Sequence, residues 1–80
     1  MATEAELKRV MAPIFLRDIR SVEPDKKGFL CGEDLRIYDD GNGNYSLRFL
    51  KGTPEKARKT YKDKLDSASI TYKVGKDYTV

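Results

Sequence analysis

The stretch that most restricts the fold is residues 35–50, where Leu35, Ile37, Tyr45, Leu47 and Phe49 alternate with polar neighbours around Asp39-Asp40-Gly41-Asn42-Gly43-Asn44. Side chains on a strand point alternately to opposite faces, so this period of two around a Gly/Asn turn specifies a β-hairpin. Its register is restricted too. A two-residue Asn42-Gly43 turn with regular pairing sets Ile37 opposite Arg48 and Arg36 opposite Phe49, mixing apolar and charged groups on both faces. A three-residue loop, Gly41-Asn42-Gly43, pairs Leu35 with Phe49, Ile37 with Leu47 and Asp39 with Tyr45. Only this register keeps one face apolar, and it puts Gly43 where the loop wants a left-handed residue. The three-residue loop is the expected connection.

Helices and further strands flank the hairpin. Thr3-Glu4-Ala5-Glu6 is a capping box, followed by Leu7, Val10, Met11 and Ile14 at helical spacing. Pro13 disfavours helix at Ala12, so the first helix should stop there. Residues 14–23 fit either a helical face through Phe15, Ile19 and Val22 or a strand near 18–22 feeding a turn at Pro24-Asp25-Lys26-Lys27-Gly28; the strand is preferred. Phe29-Leu30-Cys31 reads as a buried strand. Thr53-Pro54-Glu55 opens a second helix, with Thr53 as N-cap and Pro54 at the first helical position. Its apolar stripe, Ala57, Tyr61, Leu65 and Ala68, is narrow enough to rest on a sheet but not to be surrounded. Ile70, Tyr72 and Val74 then alternate as a strand, and Gly75-Lys76 offers a turn that pairs residues 78–80 back. The expectation is an α+β fold: a small antiparallel sheet with a central hairpin (about residues 34–51), packed against an N-terminal helix and a second helix (about 54–67), ending in a strand.

Eighty residues suit one domain, 1–80. Cys31 has no second cysteine to pair with, which favours a reducing compartment. The acidic N-terminus lacks a signal-peptide core, and no apolar run approaches the roughly 20 residues of a membrane helix. A soluble, cytoplasmic protein away from membranes is expected. Charge is uneven: residues 1–40 carry seven basic and nine acidic side chains, residues 41–80 nine and four, giving −2 and +5 and the net +3. A positive second half steers toward an anionic partner.

Catalysis finds little footing. The chain has no histidine, the commonest general base and metal ligand. Cys31 sits in an apolar run that raises a thiol's pKa, so it reads as a core residue. Glu33-Asp34 and Asp39-Asp40 are neighbours on extended chain and point apart. Asp40, Asn42 and Asn44 match the first positions of a calcium loop, but Tyr45 stands where that loop needs Gly and Lys51 where it needs Glu. No catalytic residue, cofactor or metal site is expected.

The outer face of the hairpin is the candidate site. In the preferred register Arg36 lies opposite Arg48, and like charges there cost stability. Asp34 offers the structural offset; an anionic partner offers the functional one. Tyr38 and Leu50 share that face, and the second helix adds Lys56, Lys59 and Lys62. Two functions are open: a non-catalytic protein-interaction module (a small regulator, adaptor or assembly subunit), or a nucleic-acid-binding module using the basic hairpin face and the basic second helix. Self-association through the apolar outer positions fits the first.

Overall fold

The computed structural model describes residues 3–14, 16–20 and 26–80. In chain order these form α1 (Glu4–Met11), β1 (Leu16–Ile19), β2 (Gly28–Cys31), β3 (Leu35–Gly41), β4 (Asn44–Phe49), α2 (Glu55–Ser67) and β5 (Thr71–Val74). The fold is α+β, and one five-stranded sheet runs β1-β2-β3-β4-β5.

The first helix forms as its cap dictates. Thr3 is the N-cap, its Oγ1 accepting from the backbone N–H of Glu6 at 3.2 Å, and the helix stops at Met11 before Pro13. Glu4 in the first turn meets Lys8 at 3.2 Å and Lys27 at 2.8 Å. The preferred strand lies earlier than expected, at Leu16–Ile19; Phe15, Val22, Pro24 and Asp25 lie outside the described residues.

The hairpin has the expected register by a different device. Leu35 faces Phe49, Ile37 faces Leu47 and Asp39 faces Tyr45. The tip, however, is a two-residue turn: Gly41 pairs with Asn44, and Asn42 and Gly43 both have positive φ, 56° and 79°. Such angles match the right-handed twist of paired strands. One extra residue between Asp39 and Gly41 forms a bulge that restores the face alternation. The three-residue loop is thus corrected to a tight turn plus a bulge.

The sheet is mixed, not purely antiparallel. β1 to β4 pair antiparallel, but β5 runs parallel to β4. α2 carries the chain back along the sheet, so the next strand enters in the direction of the last. Thr53 is also displaced from its expected role. Pro54 occupies the cap position, while the Thr53 hydroxyl donates back to the Leu50 carbonyl at 2.7 Å.

Both helices cover one face. Leu7, Met11, Tyr61 and Leu65 pack with Phe29, Cys31, Leu35, Ile37, Leu47 and Phe49 into one buried cluster. Burying a side chain of this size is worth about 1.5–3 kcal/mol. No helix among the described residues is long and apolar enough to cross a membrane. Among the described residues no helix covers the opposite, outer face, yet Tyr38 there is only 4% exposed. Its ring lies across Gly28: a Cβ at that glycine would sit 3.0 Å from Tyr38 Cε1 and 3.1 Å from Ile19 Cγ1. Aromatic cover of a strand glycine is a recognised cross-strand device. Gly28→Ala is therefore expected to destabilise by about 1–3 kcal/mol in urea denaturation, less than Leu65→Ala at about 2–5 kcal/mol. An unchanged midpoint for Gly28→Ala would show that the ring is not seated on the glycine.

Candidate functional site

Alternation along β3 and β4 places Arg36 beside Arg48 and Tyr38 beside Ser46 on the outer face. Asp34 does not offset the arginines. Its Oδ1 accepts from the Tyr61 hydroxyl at 2.8 Å, which ties it to α2. Burial first, and this bond second, push the Tyr61 hydroxyl far above its usual range.

The offset comes from residues 75–80. They do not turn back on β5; they continue parallel to β4. Gly75 N–H donates to Leu47 O at 2.8 Å, Tyr78 N–H to Phe49 O at 2.9 Å, and Lys51 N–H to Tyr78 O at 2.8 Å. Leu50 and Tyr78 form a parallel bridge. The Tyr78 ring then lies under the Arg36 guanidinium, 4.4 Å from its centroid, while Arg36 Nη1 donates to the Tyr38 hydroxyl at 3.4 Å. Arg48 Nε donates to the Lys76 carbonyl at 3.0 Å. A cation over a ring and a cation on a carbonyl are both favourable, so each arginine is stabilised separately.

The same segment is anchored from the other side. Arg58 of α2 grips Asp77 with two hydrogen bonds, 2.8 and 3.0 Å, and donates to Thr53 O at 2.8 Å. That paired guanidinium holds the Asp77 carboxyl below its usual range.

Beside Arg48 the outer face is concave. Lys26, Tyr38, Ser46, Arg48, Lys73, Gly75 and Lys76 line a cleft of about 350 Å³. Asp40 stands at its side, 2.8 Å from Lys26 and accepting from the Ser46 hydroxyl. Burial pushes the Asp40 carboxyl up, but Lys26 and Ser46 outweigh it and hold it below the usual range. The ammoniums of Lys73 and Lys76 have no hydrogen-bond or salt-bridge partner among the described residues.

Of the residues expected from sequence, Arg36, Tyr38, Arg48 and Leu50 share the outer face, and Arg48 and Tyr38 line the cleft. Lys56, Lys59 and Lys62 ride on α2, whose core residues pack on the opposite face, so the two basic surfaces are not brought together. Lys59 pairs with Asp63 at 2.7 Å. The cleft adds Lys26, Lys73 and Lys76. The alternation of β5 already turned Lys73 away from Tyr72, but nothing in the sequence set β5 beside β4 in parallel. Among the described residues no group of three or more His, Cys, Asp and Glu side chains is placed to hold a metal. Cys31 is buried, and burial pushes its thiol from 9.0 up to about 12.

Comparison of the chain with protein-family models, curated proteins and solved structures finds no match.

Two outcomes follow from this geometry. Tyr78→Ala should cost about 2–4 kcal/mol in urea denaturation, since it removes a buried ring and uncovers Arg36. Tyr78→Phe, which keeps the ring and loses the hydroxyl's 3.5 Å bond to Glu33 O and its polar interaction with Arg36, should stay within about 1 kcal/mol of wild type. A Tyr78→Ala protein as stable as wild type would separate Arg36 from the ring. For Cys31, the raised folded value means the unfolded chain releases its proton first. Its contribution is full below pH 9.0 and declines as pH rises toward about 12. Wild type should therefore lose stability relative to Cys31→Ala across that window, and a thiol reagent at pH 8 should label it only after denaturant is added; rapid native labelling contradicts the buried placement.

Proposed function

We propose that this chain is a non-catalytic protein-interaction module, a small regulator, adaptor or assembly subunit that engages an acidic surface of a partner protein through the outer face of its sheet. The observation that carries the reading is the cleft in which Lys26, Arg48, Lys73 and Lys76 converge beside the Asp40 carboxylate. Half-buried Ile19, Leu30 and Leu50 share that face, so it offers both charge and apolar area, the mixture typical of protein interfaces.

Nucleic-acid binding is the competing reading, motivated by the +5 second half of the chain. Sheet-face recognition of single strands stacks bases on exposed rings. Here the two outer-face tyrosines are nearly covered, Tyr38 at 4% and Tyr78 at 7% exposed, and the cations of α2 lie across the sheet from the arginines. Those two features favour a protein partner.

The test is a pull-down from native cell extract with the full chain, comparing wild type with Arg48→Glu/Lys73→Glu on the face and Lys56→Glu/Lys62→Glu on α2. Partner recovery should fall about tenfold or more in the face variant, persist in the α2 variant, and weaken with salt as screening sets in. Loss of the partner in the α2 variant alone, or tight salt-dependent capture of an oligonucleotide by wild type, overturns the reading.

A further inference from the structure

The cleft beside Arg48 has more positive charge than its surroundings balance. Its four cations come from four separate parts of the chain: Lys26 ahead of β2, Arg48 on β4, Lys73 on β5 and Lys76 in the segment after β5. Gathering like charges is unfavourable unless something opposes them. Among the described residues, Asp40 is in direct contact with Lys26, and it also occupies the Ser46 hydroxyl. With Lys26 set against Asp40, the cations of Arg48, Lys73 and Lys76 face the concavity with no carboxylate in salt-bridge contact among the described residues. Lys73 and Lys76 stand without a hydrogen-bond or salt-bridge partner among the described residues. Arg48 spends only its Nε on the Lys76 carbonyl, so both terminal nitrogens of its planar fork are available.

We propose that this cleft binds the phosphoryl group of a phosphorylated serine or threonine on the partner protein. The proposal rests on the reading of the outer face as a protein-binding surface and adds the chemistry of the ligand. A phosphomonoester carries roughly −1.5 to −2 charges and three acceptor oxygens near neutral pH, whereas a carboxylate brings one charge. A bidentate arginine supported by flexible lysines is the donor set that suits phosphate. A phosphodiester backbone spreads single charges along its length, but these cations converge on one concavity. The glycine at position 75 keeps the wall low: a Cβ there would stand 3.5 Å from Arg48 Cγ. From the cleft, Tyr38 leads across the sheet to Ile19, which flanks the same ring over Gly28, and Leu30 lies further along that face. Strands are about 4.8 Å apart, so a few extended residues beside a phosphoserine reach these apolar positions.

The experiment is an amide-resolved NMR titration of the full chain at pH 7.5 and low salt. The probes are a leucine-flanked phosphoserine pentapeptide, its serine and glutamate forms, inorganic phosphate, and a ten-nucleotide oligothymidine. The phosphoserine peptide is expected to shift the amides of Ser46, Lys73, Gly75 and Lys76, and to bind at least about tenfold more tightly than the serine or glutamate forms. Its affinity should fall about tenfold in Lys73→Gln/Lys76→Gln and weaken at pH 5.5, where the ester takes up a proton. Both substituted lysines are exposed, so the variant should fold, and an unchanged amide spectrum elsewhere checks this. Equal affinity for the serine and phosphoserine peptides, shifts confined to α2, or tighter binding of the oligothymidine overturns the proposal. Inorganic phosphate binding as tightly as the peptide overturns the peptide source. Failure here is separable from failure of the broader reading. A partner captured by wild type and equally by Lys73→Gln/Lys76→Gln, yet lost from Arg48→Glu/Lys73→Glu, leaves the protein-binding face standing without a phosphoryl site.

Discussion

Pairing Leu35 with Phe49 and Ile37 with Leu47 buries one side of the hairpin, and the pleat then compels Arg36 and Arg48 to stand side by side on the other. Much of the outer face answers that constraint. Slipping the register by one residue would part the arginines, but it would carry one strand's apolar pair, Leu35 and Ile37 or Leu47 and Phe49, out of the core. Each such side chain is worth about 1.5–3 kcal/mol when buried, while a like-charge cross-strand pair costs about 0.2–1 kcal/mol. Burial wins, and the repulsion has to be relieved locally.

The relief is built by the last residues of the chain. Having crossed over α2 and entered as a parallel edge strand, the backbone keeps bonding to β4 beyond Val74, which brings the Tyr78 ring under Arg36 and the Lys76 carbonyl to Arg48. Arg58 holds Asp77 from the helical side, so the segment is gripped on both sides of the sheet end. The same path that settles two arginines delivers Lys73 and Lys76 to the cleft. Stabilisation of the hairpin and construction of the cationic site are therefore one piece of geometry.

Local features were the ones legible in the residues. The Thr3 cap, the stop before Pro13, the hairpin register and the Tyr61–Leu65 stripe each depend on neighbours within a few positions, and each is found. Thr53 shows the limit of such reasoning: its hydroxyl had a competing acceptor in the Leu50 carbonyl, three residues back, and that turn displaced the cap by one residue. The hairpin tip shows another. A regular two-residue turn would mix the faces, yet a bulge at Asp39/Gly41 lets the tight turn and the apolar face coexist.

The sequence by itself determined which residues share a face, because side-chain direction follows from the two-residue and 3.6-residue periods, which are properties of the backbone alone. It therefore determined that Arg36, Tyr38 and Arg48 sit together. Only the tertiary structure decided which way β5 runs, that Asp34 turns to Tyr61, that Tyr38 covers Gly28, and that Lys26, Lys73 and Lys76 meet Arg48. Those outcomes depend on contacts between segments tens of residues apart, whose energies are set by the packing of the whole chain and leave no periodic trace in it.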